Sequence, residues 1–125
     1  GALNLFFKYQ DIFTSAGSTS GVLDITKFPD RWGLSNYLGL FEENENDWKN
    51  NSVFYLAEQK VESKPFIFDC GTEDFVFDVN KSFYELCLNK KFPFTFIAQP
   101  GKHHRDYWKK SILQHLDFFR EIVER

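Results

Sequence analysis

Two short apolar runs constrain this chain most, because turn residues close each one and a helical stripe follows at once. Phe66-Ile-Phe-Asp69 leads into Gly71-Thr-Glu-Asp74, and Phe94-Thr-Phe-Ile-Ala98 leads into Pro100-Gly101. Short runs rich in aromatic and β-branched residues between turn signals read as buried strands. Behind the first run, Val79, Phe83, Leu86 and Cys87 fall at i, i+4, i+7 and i+8, which predicts a helix over 76–90 with that stripe inward. Behind the second, Trp108, Ile112, Leu116, Phe119 and Val123 recur at helical spacing, which predicts a helix over 106–123 with those residues facing the core. Strands alternating with helices imply βαβ units, parallel strands and right-handed crossovers.

The first half of the chain extends this pattern less regularly. Leu3, Phe6 and Phe7 can share one face of a helix over 2–9. Residues 12–19 read as a short strand of small residues, which would let a helix or a ligand approach the backbone closely. Residues 22–64 are irregular, with a turn or short helix at Lys27-Phe-Pro-Asp-Arg-Trp-Gly33 and an acidic stretch at Glu42-Glu-Asn-Glu-Asn-Asp47. Ser52 is placed to cap a short helix over 53–60. A segment this long, with little structure of its own, reads as an insertion lying over a site. The expected order is α-β-irregular-α-β-α-β-α: an α/β fold with about three parallel strands and flanking helices, in one unit over residues 1–125.

Composition bounds the function class. Hydrophobic residues make up 42% of the chain, enough for a packed core, and 16 phenylalanines should dominate its burial energy. The net charge of −3, with no basic block, argues against nucleic acid as a partner. No run approaches the ~20 apolar residues of a membrane span, so no membrane partner is expected. Cys70 and Cys87 fall in a strand and on an apolar helical stripe, and are expected to be buried free thiols. Without a ligand cluster they form no metal site.

Two residues stand where open α/β sheets bind ligands, just past the carboxyl ends of strands. Asp74 follows the first apolar run and His103 the second. A carboxylate there can accept a hydrogen bond from an imidazole, fixing its tautomer and stabilising the imidazolium. Taken singly, each has a plainer reading. Glu73, Asp74 and Asp78 also suit a turn and the first turn of a helix, and a histidine on a loop is commonly a surface residue. His104 competes with His103, and His115 is expected on a solvated helix face.

Three motifs stand around this pair: Phe68-Asp-Cys-Gly-Thr-Glu-Asp-Phe75, Pro100-Gly-Lys-His-His-Arg-Asp-Tyr-Trp108 and His115-Leu-Asp-Phe-Phe119. They are similar to the C-terminal part of the Putative esterase family. Its α/β-hydrolases include S-formylglutathione hydrolase, tributyrin esterases and feruloyl or acetyl-xylan esterases. The opening residues, Gly1 to Phe13, resemble the helix after that family's nucleophile, and Ser18-Thr-Ser-Gly21 its next strand end.

The resemblance implies a serine carboxylesterase acting through an acyl-enzyme, with Asp74 as the triad acid and His103 as the base. Asp106, Tyr107 and Trp108 would pack and anchor the histidine loop, whereas Lys102, His104 and Arg105 depart from the family's usual residues. It implies a small-molecule or carbohydrate-linked ester as substrate and no cofactor. Trp32 and Trp48 are candidates for pocket walls, against ordinary core packing. The family's Gly-x-Ser-x-Gly-Gly turn has no counterpart here; its serine would fall about five residues before Gly1. Thr19, central in Gly17-Ser-Thr-Ser-Gly21, lies on the wrong element to replace it.

The chain has no methionine and opens inside a helical pattern, so it reads as a piece of a longer protein lacking the N-terminal strands and the nucleophile turn. By itself it is expected to be inactive. The rival reading is a non-catalytic α/β interaction or scaffold module derived from a hydrolase. An open strand edge at 14–19 and an uncovered apolar face on helix 2–9 would favour self-association or a complementing N-terminal half.

Overall fold

Phe66–Gly71 forms the central strand β2, and all six of its residues are buried. The computed structural model describes residues 1–124. Strands β1 (Ala16–Thr19) and β3 (Phe94–Gln99) flank β2 in the order β1-β2-β3, both parallel to it. Ala16 and Phe94 lie on either side of Phe66, which aligns the three strand ends on one edge of the sheet. The helices are α1 (Ala2–Lys8), α2 (Ser35–Leu38), α3 (Glu45–Asn50), α4 (Val53–Glu58), α5 (Phe77–Lys90) and α6 (Arg105–Glu124). The predicted three-stranded parallel α/β architecture is therefore present.

Side chains alternate across β2, and the alternation divides the molecule into layers. Phe66 and Phe68 point into an aromatic core with Phe6 and Phe7 of α1, Phe83 and Cys87 of α5, Val53 and Ala57 of α4, and Phe92. The rings meet mostly edge-on or tilted, at 5.2 Å for Phe7–Phe66 and 5.0 Å for Phe68–Phe83, the geometry that ring quadrupoles favour. Asp69, on the opposite face of β2, meets α6.

Several expectations need correction. The apolar face of α1 is covered: Leu3, Phe6 and Phe7 are buried in the aromatic core. Only Ala16–Thr19 of the predicted strand 12–19 joins the sheet. The residues before it are tied instead by side chains, with Ser15 Oγ donating to the Pro65 carbonyl and Gln10 bridging Ser63 and Lys64. Ser52 stands at the start of α4, but its hydroxyl donates back to the Trp48 carbonyl at 3.0 Å rather than capping the helix.

The largest difference concerns α6. Trp108, Ile112, Leu116 and Val123 are 38%, 51%, 57% and 84% exposed, while Tyr107, Ser111 and His115 face inward. The helix is turned by about one residue, or ~100°, from the apolar reading. Its inner stripe is polar because a buried carboxylate, Asp69, needs donors there. His115, expected in solvent, is buried and paired with Asp69. Gly17 makes room for it, since a Cβ there would lie 2.6 Å from His115 Nδ1.

Both cysteines are free and buried, as expected. Burial, with the neighbouring Asp74 and Asp69 carboxylates, pushes the Cys70 thiol up to about 12. Burial alone does the same for Cys87. Neither supplies the thiolate that a nucleophile or metal ligand requires near neutral pH.

Candidate active site

The turn after β2 builds the first half of the site. Asp74 N–H donates to the Gly71 carbonyl at 3.1 Å, curling the chain at the sheet edge. Asp74 Oδ1 then accepts from Val76 N–H at 3.0 Å, just before α5. The plainer reading of Asp74, as a turn and helix-start residue, is thus true of one carboxylate oxygen. Oδ2 remains for another partner. Asp74 is buried, with no side-chain surface exposed.

The turn after β3 builds the second half. Gly101 has φ +154°, and a Cβ there would lie 2.3 Å from the Tyr107 ring, so only glycine fits the crossing. Its carbonyl accepts from Glu73 N–H at 3.0 Å, and its N–H donates to Glu73 Oε2 at 2.8 Å. These two bonds zip the His103 loop onto the Asp74 loop. The Gly101 N–H and the Thr72 hydroxyl hold the Glu73 carboxyl below its ordinary range, so it remains an acceptor at neutral pH.

The zipped loops bring Asp74 and His103 together. His103 Nδ1 lies 3.0 Å from Asp74 Oδ2. The carboxylate can only accept, so Nδ1 carries the proton and Nε2 keeps its lone pair. The imidazole stands between two aromatic rings, Phe75 and Trp108, each 5.1 Å away by centroid. Trp108 is itself held by a bond from Nε1 to Ser20 Oγ at 3.2 Å. The His103 side chain remains 37% exposed. Among the described residues no hydroxyl or thiol makes a hydrogen bond to Nε2. The arrangement can take and return a proton at Nε2 while the carboxylate balances the imidazolium charge.

The other sequence candidates fall elsewhere. His104 Nδ1 accepts from Asp106 N–H at 3.2 Å at the start of α6, a local role on an exposed side chain. Thr19 Oγ1 bonds Ser111 at 2.8 Å and Asp69 at 3.3 Å, inside the network under α6. Trp48 does not line a pocket: it is fully buried, meets the Phe41 ring edge-on, and donates from Nε1 to the Gly39 carbonyl at 3.0 Å. Trp32 is half exposed and packs on Phe75, and the Arg31 guanidinium lies 5.1 Å above the Phe75 ring. Part of the irregular segment thus adjoins the aromatic wall beside His103.

Sequence reasoning missed Asp69 and the inward roles of Ser111 and His115, whereas Tyr107, expected to pack and anchor the histidine loop, is buried against Gly101. One signal was available: a carboxylate inside an apolar strand demands buried donors. Tyr107, Ser111 and His115, at i, i+4 and i+8, supply them on one helical face.

Comparisons with known proteins bear on the fold and the family. The family model described as Putative esterase matches residues 1–119. No curated protein matches the chain. Among solved structures, a ferulic acid esterase superposes with a TM-score of 0.76 at 24% identity, covering 96% of this chain and 47% of the other. An S-formylglutathione hydrolase from Staphylococcus aureus gives 0.76 at 22% identity, covering 94% and 49%. Another from Agrobacterium tumefaciens gives 0.73 at 18% identity, covering 98% and 44%. The chain therefore spans slightly under half the length of these proteins, with the same fold over that half. It belongs to the Putative esterase family, whose model spans nearly all of its length.

Proposed function

We propose that this chain supplies the acid and base of a serine carboxylesterase, with Asp74 and His103 in those roles. The serine and the oxyanion hole come from polypeptide outside these 125 residues. The hydrogen bond from His103 Nδ1 to Asp74 Oδ2, on a histidine whose side chain is partly exposed, carries the reading. In the reaction, Nε2 takes the serine proton as Oγ attacks the ester carbonyl, then returns it to the departing alcohol. Water then attacks the acyl-enzyme by the same proton path in reverse. The substrate is a small-molecule or carbohydrate-linked ester, and Trp32 with Phe75 forms an aromatic wall beside the base. No cofactor enters these steps.

Hydrolysis of p-nitrophenyl acetate tests this. The 125-residue chain is expected to show no turnover above the buffer rate. The polypeptide extended upstream through the serine-bearing turn is expected to turn over, and to stop doing so in His103→Ala. Turnover by the short chain that disappears in His103→Ala would overturn the division of the site. An upstream sequence without a serine turn would instead favour the scaffold module.

The outer surface supports a complementing half or self-association. β1 is an edge strand, paired only with β2 among the described residues. Beside its end, Trp108 and Ile112 continue into Leu116, all more than a third exposed. An open edge next to an apolar helix face favours association. Light scattering of the isolated chain is expected to give a mass above one copy at high concentration; a strict monomer throughout would contradict this.

A further inference from the structure

Among the described residues Asp69 makes no hydrogen bond to Asp74 or His103, yet it is fully buried and accepts from four side chains. Its Oδ1 takes the Tyr107 hydroxyl at 2.8 Å. Its Oδ2 takes the Ser111 hydroxyl at 2.6 Å, the Thr19 hydroxyl at 3.3 Å, and His115 Nε2. Three of these partners come from successive turns of one helix, α6. A buried carboxylate is costly unless donors surround it, and this one has them on both oxygens.

The consequence is rotational. Apolar burial alone would turn Trp108, Ile112 and Leu116 inward, about one residue away from the observed setting. The Asp69 bonds turn Tyr107, Ser111 and His115 inward instead. That setting lays the Tyr107 ring against Gly101, two residues before His103, and presents the Trp108 ring edge-on to the imidazole at 5.1 Å. Burial raises the Tyr107 phenol well above its usual range, so it stays protonated and donates throughout the neutral region.

We propose that Asp69 is a positioning residue: through Tyr107 it sets the rotation of α6 and thereby holds the His103 imidazole against Asp74. This rests on the acid–base assignment above. Asp69 acts on the base through the helix, without touching substrate.

The test reads the His103 ring directly in the 125-residue chain. With ring-¹⁵N-labelled histidine, the wild-type protein is expected to show His103 as the Nδ1–H tautomer, with a hydrogen-bonded proton protected from exchange with water. Tyr107→Phe keeps the ring and removes the strut's hydroxyl. It is expected to lose the protected proton and drift toward the tautomer mixture of a free imidazole. Asp69→Asn should do so more completely; if it fails to fold, Tyr107→Phe alone decides. Phe83→Leu, in the core across the sheet, serves as a variant of lowered melting temperature that should keep the signature. Retention of the protected Nδ1–H in Tyr107→Phe would overturn the proposal. So would its equal loss in Phe83→Leu, which would mark general loosening. A wild-type spectrum without it would overturn both this inference and the acid–base pairing.

Discussion

Asp74→Asn is expected to lower kcat for p-nitrophenyl acetate by about 10⁴-fold in the polypeptide extended through the serine. The reason is the tautomer. Asp74 can only accept from Nδ1, which leaves Nε2 free to take a proton. An amide in its place can turn its NH₂ toward Nδ1, which moves the imidazole proton to Nε2 and closes the base. The carboxylate charge that balances the imidazolium is lost as well. The fold should survive, because the Asn side-chain oxygen can still accept from Val76 N–H in place of Oδ1. KM should change little, since the lost interaction grows only in the transition state. A 10⁴-fold loss corresponds to about 5 kcal/mol of activation free energy. A fall of less than about tenfold, well short of that expectation, would remove Asp74 from the proposed role.

Phe66→Ala is expected to destabilise the chain by about 3–5 kcal/mol. Phe66 has no exposed surface and its ring lies within 6.4 Å of the rings of Phe6, Phe7, Phe68, Phe83, Phe92 and Phe94. It joins α1, α5 and the sheet, so neighbours from three elements would have to move together to fill the void. They are held by the backbone and can relax only in part. Domains of this kind are commonly stable by about 5–15 kcal/mol, so the loss would consume a large share of the total. Urea unfolding followed by near-ultraviolet circular dichroism measures it as a fall in the midpoint. A shift worth less than about 1 kcal/mol would show that the core collapses around the gap more freely than its packing implies.

The fold and the meeting of Asp74 with His103 were legible because their signals are local. β2 and β3 are contiguous apolar runs between turn residues, and α5 carries a clean stripe, so its buried Val79, Phe83 and Cys87 could be named in advance. Asp74 and His103 were legible as strand-end residues, since parallel order alone puts both on the same edge. The failures came where a long-range partner decided the outcome. The strand predicted over 12–19 shortened to Ala16–Thr19, and the side chains of Gln10 and Ser15 before it bond the backbone of Lys64 and Pro65 instead. Trp48 went to the core because Phe41 and the Gly39 carbonyl satisfy its ring and its N–H. The face of α6 was misjudged because periodicity counts apolar residues and ignores the demand of a buried charge.

Residue order by itself determined the alternation of strand and helix, hence the parallel sheet, and placed an acid and a histidine at its carboxyl edge. Backbone periodicity and turn chemistry act over a few residues, so they can be read along the chain. Only the tertiary structure decided which oxygen of Asp74 meets His103, which aromatic rings hold that imidazole, and which face of α6 turns inward. The first follows from Val76 N–H taking Asp74 Oδ1, and the last from Asp69 finding Thr19, Tyr107, Ser111 and His115 on elements far apart in sequence, donors a buried carboxylate meets only when the chain has closed around it.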